Sequence, residues 1–193
     1  MTNSAELAES MRFEALPVQG AFTIDLDRRE DERGFFARLW CVRDLSALGL
    51  EANFVQSSIS FSPEAGTVRG MHYQEAPSQE VRIVTCAVGA IYDVIVDLRP
   101  ESPSFKRWHA VKLDGGFGRS VYVPRGCAHG LQTLVAGSVV QYTMSAYYDA
   151  ERARSLNWRD PELAIPWPIA EATAISPRDA TAPFLNEIVS EKG

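Results

Sequence analysis

Arg69 and His72 stand among apolar neighbours in the stretch GTVRGMHYQ, Gly66 to Gln74. An imidazole titrates near neutral pH, so it can take or give a proton or ligate a metal. A guanidinium offers a planar fork of donors that matches phosphate or carboxylate oxygens. Another histidine, His129, closes GRSVYVPRGCAH, and Arg82 shares its strand parity with Val84, Cys86 and Val88. A charge at the end of such an apolar row requires a partner. From these stretches alone, His72 also reads as a hydrogen-bonded core histidine and Arg69 as a rim cation.

The elements that must position these groups are short. Candidate strands cover 21–26, 35–40, 54–61, 67–74, 80–88, 90–98, 108–113, 120–123, 130–135 and 138–148. Glycine, proline and aspartate turns separate them, the pattern of an all-β sandwich or barrel. A helix is expected near Val42 to Leu48, with Gly49 at its end. Residues 1–193 read as one domain, with 1–11 frayed and 149–193 an irregular, proline-containing segment packed on the barrel.

Side chains alternate faces along a strand. Phe54, Gln56, Ser58 and Ser60 therefore share a face suited to a polar cavity wall, while Val55, Ser57, Ile59 and Phe61 read as packing. Val140, Tyr142, Met144, Ala146 and Tyr148 form a mixed apolar and phenolic face suited to a ligand pocket. Strict alternation puts Arg69 and His72 on opposite faces, unless Gly70 marks a bulge that turns the strand.

Composition excludes several classes. With 46% hydrophobic and 23% charged residues the chain falls in the ordinary globular range. A net charge of −6 argues against general nucleic-acid binding, which rests on clustered Lys and Arg. No run approaches the roughly 18 apolar residues of a membrane span. The acidic N-terminal stretch lacks a secretory pattern, so a cytoplasmic location is expected. Cys41, Cys86 and Cys127 form no C-x-x-C pair, which leaves neither a disulfide framework nor a thiolate zinc site.

Gly66, six residues before His72, and the pattern G-x5-P-x-G-x2-H from Gly118 to His129 resemble the two motifs of the cupin superfamily, which implies a jelly-roll barrel with an internal site. The first motif is broken: Gln74 replaces the second histidine of metal-binding cupins, and Glu80 is displaced. His72 and His129 alone are a poor set for a transition metal, so none is expected.

Over nearly its whole length the chain resembles the RmlC family of dTDP-4-dehydrorhamnose 3,5-epimerases. The matching pieces are DERGFFARLW, FVQSSISFSPEAGTVRGMHYQ, GAIYDVIVDLRPESPSF, VPRGCAHGLQTL, VVQYTMSAYY, NWRDPELAIPWP and SPRDATAP. The resemblance implies a cofactor-free homodimer acting on a nucleoside-diphospho-4-keto-6-deoxy sugar, with inversion at C3, C5 or both. It further implies His72 as general base, Asp179 as its orienting carboxylate and Tyr142 as proton donor on the opposite sugar face. Arg33 and Arg69 are implied as phosphate or nucleotide contacts, with Phe36, Gln56 and Ser58 also lining the substrate. His129, Tyr148 and Arg178 complete the implied contacts.

Three positions depart from the family. Arg82 stands where members typically have a lysine assigned to the enolate oxygen, Ser58 where many have asparagine, and Arg38 where many have glutamate. Two other readings follow from the same residues: a non-catalytic sugar-nucleotide-binding cupin, motivated by Arg82, and a metal-dependent cupin oxygenase, disfavoured by Gln74.

Overall fold

The structure, a computed structural model, describes residues 11–190. Its elements are β1 (Met11–Ala15), β2 (Phe22–Leu26), β3 (Arg28–Asp31), β4 (Gly34–Ala37), α1 (Val42–Ala47), β5 (Gln56–Ser62), β6 (Val68–Gln74), β7 (Arg82–Val88) and β8 (Ala90–Asp97). They continue with β9 (Trp108–Asp114), β10 (Arg119–Val123), β11 (Cys127–Thr133), β12 (Ser138–Met144), β13 (Ala153–Ser155), α2 (Pro177–Ala180) and α3 (Leu185–Ser190). A six-stranded sheet has the order β1-β2-β10-β7-β12-β5 and a five-stranded sheet the order β13-β6-β11-β8-β9, with β3 and β4 pairing apart from both. This is the expected all-β, jelly-roll architecture.

Alternation explains the layers. Val84, Cys86, Val121 and Val140 from one sheet meet Ile91, Ile95, Leu113 and Leu131 from the other in a buried cluster. The opposite parity of the five-stranded sheet, with Met71, Tyr73, Val94 and Val96, is covered by Leu156, Leu163, Ile165 and Leu185 from the C-terminal segment. The outer side of the six-stranded sheet packs Ile24, Ile83 and Tyr122 against Leu45 of α1. That helix ends as expected, with the Gly49 N–H donating to Ser46 O and Gly49 at φ +69°.

Several boundaries differ from the sequence reading. Residues 1–10 lie outside the described residues, but Met11 pairs with Leu26 in β1 and is buried rather than frayed. The strand expected over 138–148 ends at Met144, and β11 begins at Cys127, which takes His129 into the ladder. Val55, Ile59 and Phe61 do not pack in the interior. They are exposed at 38%, 75% and 60%, because β5 is an edge strand and its second face meets no layer among the described residues.

The bulge at Gly70 is present. Along β11 two steps separate His129 from Leu131, whereas their partners on β6, His72 and Arg69, are three apart. The extra residue turns the strand and brings Arg69 and His72 to one cavity. Gly70 takes φ +121°, and a Cβ there would lie 2.5 Å from the Gly130 Cα. Both facts demand glycine. Gly70→Ala is therefore expected to cost about 3 kcal/mol. The corresponding fall in Tm is roughly 6–12 °C, readable by calorimetry.

Candidate active site

A cavity of about 360 Å³ opens between the sheets. That is within the range of small-ligand sites. Its wall from the six-stranded sheet carries Gln56, Ser58 and Ser60 on β5, Arg82 on β7, and Tyr142 and Met144 on β12; the facing wall carries Arg69 and His72 on β6 and His129 on β11. The polar parity face of β5 thus lines the cavity from Gln56 to Ser60, while Phe54 turns to pack against Trp40.

His72 is held by a residue more than a hundred positions away. Ser176 caps α2 by accepting the Asp179 N–H at 3.1 Å, and Pro177 occupies the first helical turn, where its missing N–H costs nothing. This short capped turn presents Asp179 to β6. Its Oδ1 contacts His72 Nε2 at 2.7 Å, and its Oδ2 accepts the Gly70 N–H at 3.3 Å. Burial pushes the Asp179 carboxyl up, but the bond and charge of His72 and the Gly70 N–H outweigh it and hold it below the usual carboxylate range. With Nε2 engaged, Nδ1 is the ring nitrogen left for a ligand. The His72 side chain is 39% exposed and that of Asp179 only 6%, so the pair has one buried end and one open end.

Across the cavity, the Tyr142 hydroxyl lies 3.2 Å from Ser60 Oγ. Burial raises its pKa, with the Ser60 bond acting the other way, so the phenol stays protonated at neutral pH. Its ring meets the His129 ring edge-on at 6.3 Å. His129 is itself paired, Nε2 to Asp93 Oδ2 at 2.7 Å, and the other Asp93 oxygen is buried with no protein partner among the described residues. The cavity therefore holds two imidazole–carboxylate pairs, one open and one buried.

The cations surround this centre. Arg69 donates from Nε to Ser62 Oγ and from Nη2 to Phe61 O, which holds one edge of its guanidinium, and the residue lines the cavity. Arg178, beside Asp179 on α2, donates to Ser155 Oγ and reaches the Tyr148 hydroxyl at 3.5 Å. Gln56 donates to Ala146 O, tying β5 to the segment after β12. Tyr148 lies beyond the end of that strand and lines the mouth, 64% exposed.

Two expected residues do not join the cavity of their own chain. Arg33 sits at the β3–β4 turn, paired with Asp31 and 84% exposed at its side chain, and Phe36 projects from β4, 73% exposed. The hairpin is a separate two-stranded ladder that joins neither of the two sheets forming the cavity. Lining or supporting residues that escaped the sequence reading as site members include Glu80, Arg154 and Asp93, with Tyr73 and Ala153. Asp93 had a signal, an acid in the otherwise apolar run AIYDVIV. Arg154 had none, because it belongs to β13, which irregular tail sequence does not announce.

Gln74, where a metal ligand would stand, is consumed by structure. Its Nε2 donates to Ser78 O and Tyr147 O, and its Oε1 accepts the Asp149 N–H. Both cavity histidines give Nε2 to carboxylates, and no group of three or more His, Cys, Asp or Glu among the described residues has metal-site geometry.

Comparison with known proteins gives a consistent picture. The family model described as dTDP-4-dehydrorhamnose 3,5-epimerase matches residues 15–187. A dTDP-4-dehydrorhamnose 3,5-epimerase of Sinorhizobium fredii is 35% identical over 93% of this chain and 92% of its own length. A dTDP-4-dehydrorhamnose 3-epimerase of Streptomyces niveus is 36% identical over 92% of this chain and 85% of its own. The crystal structure of the 3,5-epimerase from Bacillus anthracis with TDP and PPi bound superposes with a TM-score of 0.87 at 39% identity, covering 91% of this chain and 99% of that one.

Proposed function

The chain belongs to the dTDP-4-dehydrorhamnose 3,5-epimerase family and is an isomerase, and from that premise we propose that it inverts C3, C5 or both of a dTDP-linked 4-keto-6-deoxy sugar through an enolate. The observation that carries the assignment of roles is the oriented His72–Asp179 pair on one wall of a cavity whose opposite wall presents the Tyr142 hydroxyl.

Hydrogens beside a ketone are acidic because the carbanion is delocalised onto the carbonyl oxygen. His72 Nδ1 removes one; Asp179 fixes the tautomer and stabilises the imidazolium. Tyr142, protonated and on the other sheet, returns a proton from the opposite side, which inverts the centre. Arg82, also in the wall, faces the charge that develops on the enolate oxygen; a buried donor in such a position is worth about 2.7–4 kcal/mol. Arg69 and Arg178 hold the diphosphate end by their donor forks. The donor set supports chemistry with side chains alone, without a metal or a redox cofactor. Three free cysteines suit a reducing, cytoplasmic setting.

The test is incubation with dTDP-4-keto-6-deoxyglucose in deuterium oxide, with label followed by NMR. Deuterium at C3 and C5 identifies a double epimerase and deuterium at one carbon a mono-epimerase. No exchange, with dTDP bound, leaves a sugar-nucleotide-binding protein and overturns the reading.

A homodimer completes this proposal. Arg33 and Phe36 lie outside their own cavity, and Ile59 and Phe61 present an apolar row on the free face of β5, which a second copy would cover. Light scattering is expected to give twice the chain mass, and Phe61→Asp to shift it to the monomer with an unchanged circular dichroism spectrum. Monomeric wild-type protein would refute it. If Arg33 serves the partner's cavity, mixing Arg33→Ala with His72→Ala chains restores activity that neither shows alone.

A further inference from the structure

Arg82 and Glu80 are two charged groups on the same side of the cavity as the uncharged Gln56, Ser58, Ser60 and Tyr142. Arg82 extends β7 at the end of the inward row that continues with Val84 and Cys86, and its side chain is only 15% exposed. Glu80, two residues earlier, is 9% exposed at its side chain and lines the same cavity. Glu80 Oε1 accepts both from Arg82 Nε, at 2.9 Å, and from Nη2, while Nη1 donates to the backbone oxygen of His72 at 3.2 Å. The segment between them is pinned: the Val81 N–H donates to Ser145 Oγ at 2.8 Å, and the Ser145 N–H donates to Val81 O at 3.0 Å.

A guanidinium carries five N–H donors in one plane. Three are committed, two to one carboxylate oxygen and one to the strand that bears His72. The plane is therefore fixed relative to the base, and the two uncommitted donors, on Nη1 and Nη2, are the ones available to a substrate oxygen. We propose that Glu80 is a positioning residue for the epimerisation: it clamps Arg82 from the side so that the free edge of the guanidinium meets the substrate's ketone oxygen. This deepens the reading given under the proposed function and rests on it.

The clamp is specific to the fork. Glu80 can hold a guanidinium through Nε and Nη2 and leave other donors forward. An ammonium has a single nitrogen, so a lysine at this position is drawn onto the carboxylate and away from the cavity. Glu80 thus supports activity when arginine is present and suppresses it when lysine is present.

That reversal is the test. Exchange of solvent deuterium into the sugar is measured for wild type, Glu80→Gln, Arg82→Lys and the double variant, with dTDP affinity and Tm recorded for each. Glu80→Gln is expected to lower kcat about tenfold with KM little changed, and Glu80→Asp, which keeps the charge, to recover part of the loss. Arg82→Lys loses roughly 100-fold, and adding Glu80→Gln to it raises the rate again. Losses that simply multiply, or that track Tm, mean that Glu80 only supports the fold, and the proposal falls. His72→Ala runs in parallel: if it keeps normal exchange, the assignment of the base has failed, whereas loss there with no reversal at Glu80 rejects the clamp alone.

Discussion

His72→Ala is expected to lower exchange at the carbons beside the ketone by on the order of 10²- to 10⁴-fold, the usual contribution of a positioned general base. The argument is geometric before it is electrostatic. Nε2 is taken by Asp179 at 2.7 Å, which leaves Nδ1 toward the cavity, and no other imidazole there is so disposed: His129 is 3% exposed and paired with Asp93. Asp179→Asn should reproduce much of the loss. An amide can bond the ring through either of its ends and no longer stabilises the imidazolium, so the useful tautomer is not enforced. Both variants should still bind dTDP, since the diphosphate contacts assigned to Arg69 and Arg178 are untouched. Deuterium incorporation by His72→Ala at a rate near wild type would remove His72 from the mechanism.

Tyr142→Phe should separate the two halves of the reaction. A phenol is neutral at neutral pH and burial moves its pKa further up, so in the proposed forward step it would donate rather than accept. Without it, the proton removed by His72 can still return from the same side. Epimer formation is expected to fall by roughly 10²–10³-fold, while deuterium in recovered substrate falls far less. Affinity should change little, because the hydroxyl's hydrogen-bond partner is Ser60 of its own wall and not a residue assigned to the diphosphate. Equal loss of washout and inversion would assign Tyr142 to some shared step and not to the second face. Undiminished epimer formation would place the donor elsewhere, with His129 the neighbouring candidate at 6.3 Å between rings.

Much of this site is legible in one dimension because strands have a period of two. Gln56, Ser58 and Ser60 could be put on one wall, and Arg82 could be said to need a partner, without coordinates. The partner's identity was less accessible. Glu80 lies just before the strand, and only folding shows that its carboxylate and the backbone oxygen of His72 converge on one guanidinium. The same rule misread Val55, Ile59 and Phe61, since alternation says that two faces differ but not whether a second layer covers each. An edge strand with an apolar outer row looks, in sequence, like a central one.

Local chemistry determined the alternating strands, the helix that stops at Gly49, the bulge that only glycine permits at residue 70, and the residue types able to move a proton. The meeting of His72 with Asp179 was decided in three dimensions, because a capped turn in the tail must be laid beside β6, where Ala174 bridges Thr67, and no local preference encodes that path. Burial of His129 against Asp93 and the exclusion of Arg33 and Phe36 from their own cavity were decided there as well. Pairing over such sequence distances depends on which surfaces pack together, and packing is a property of the assembled layers.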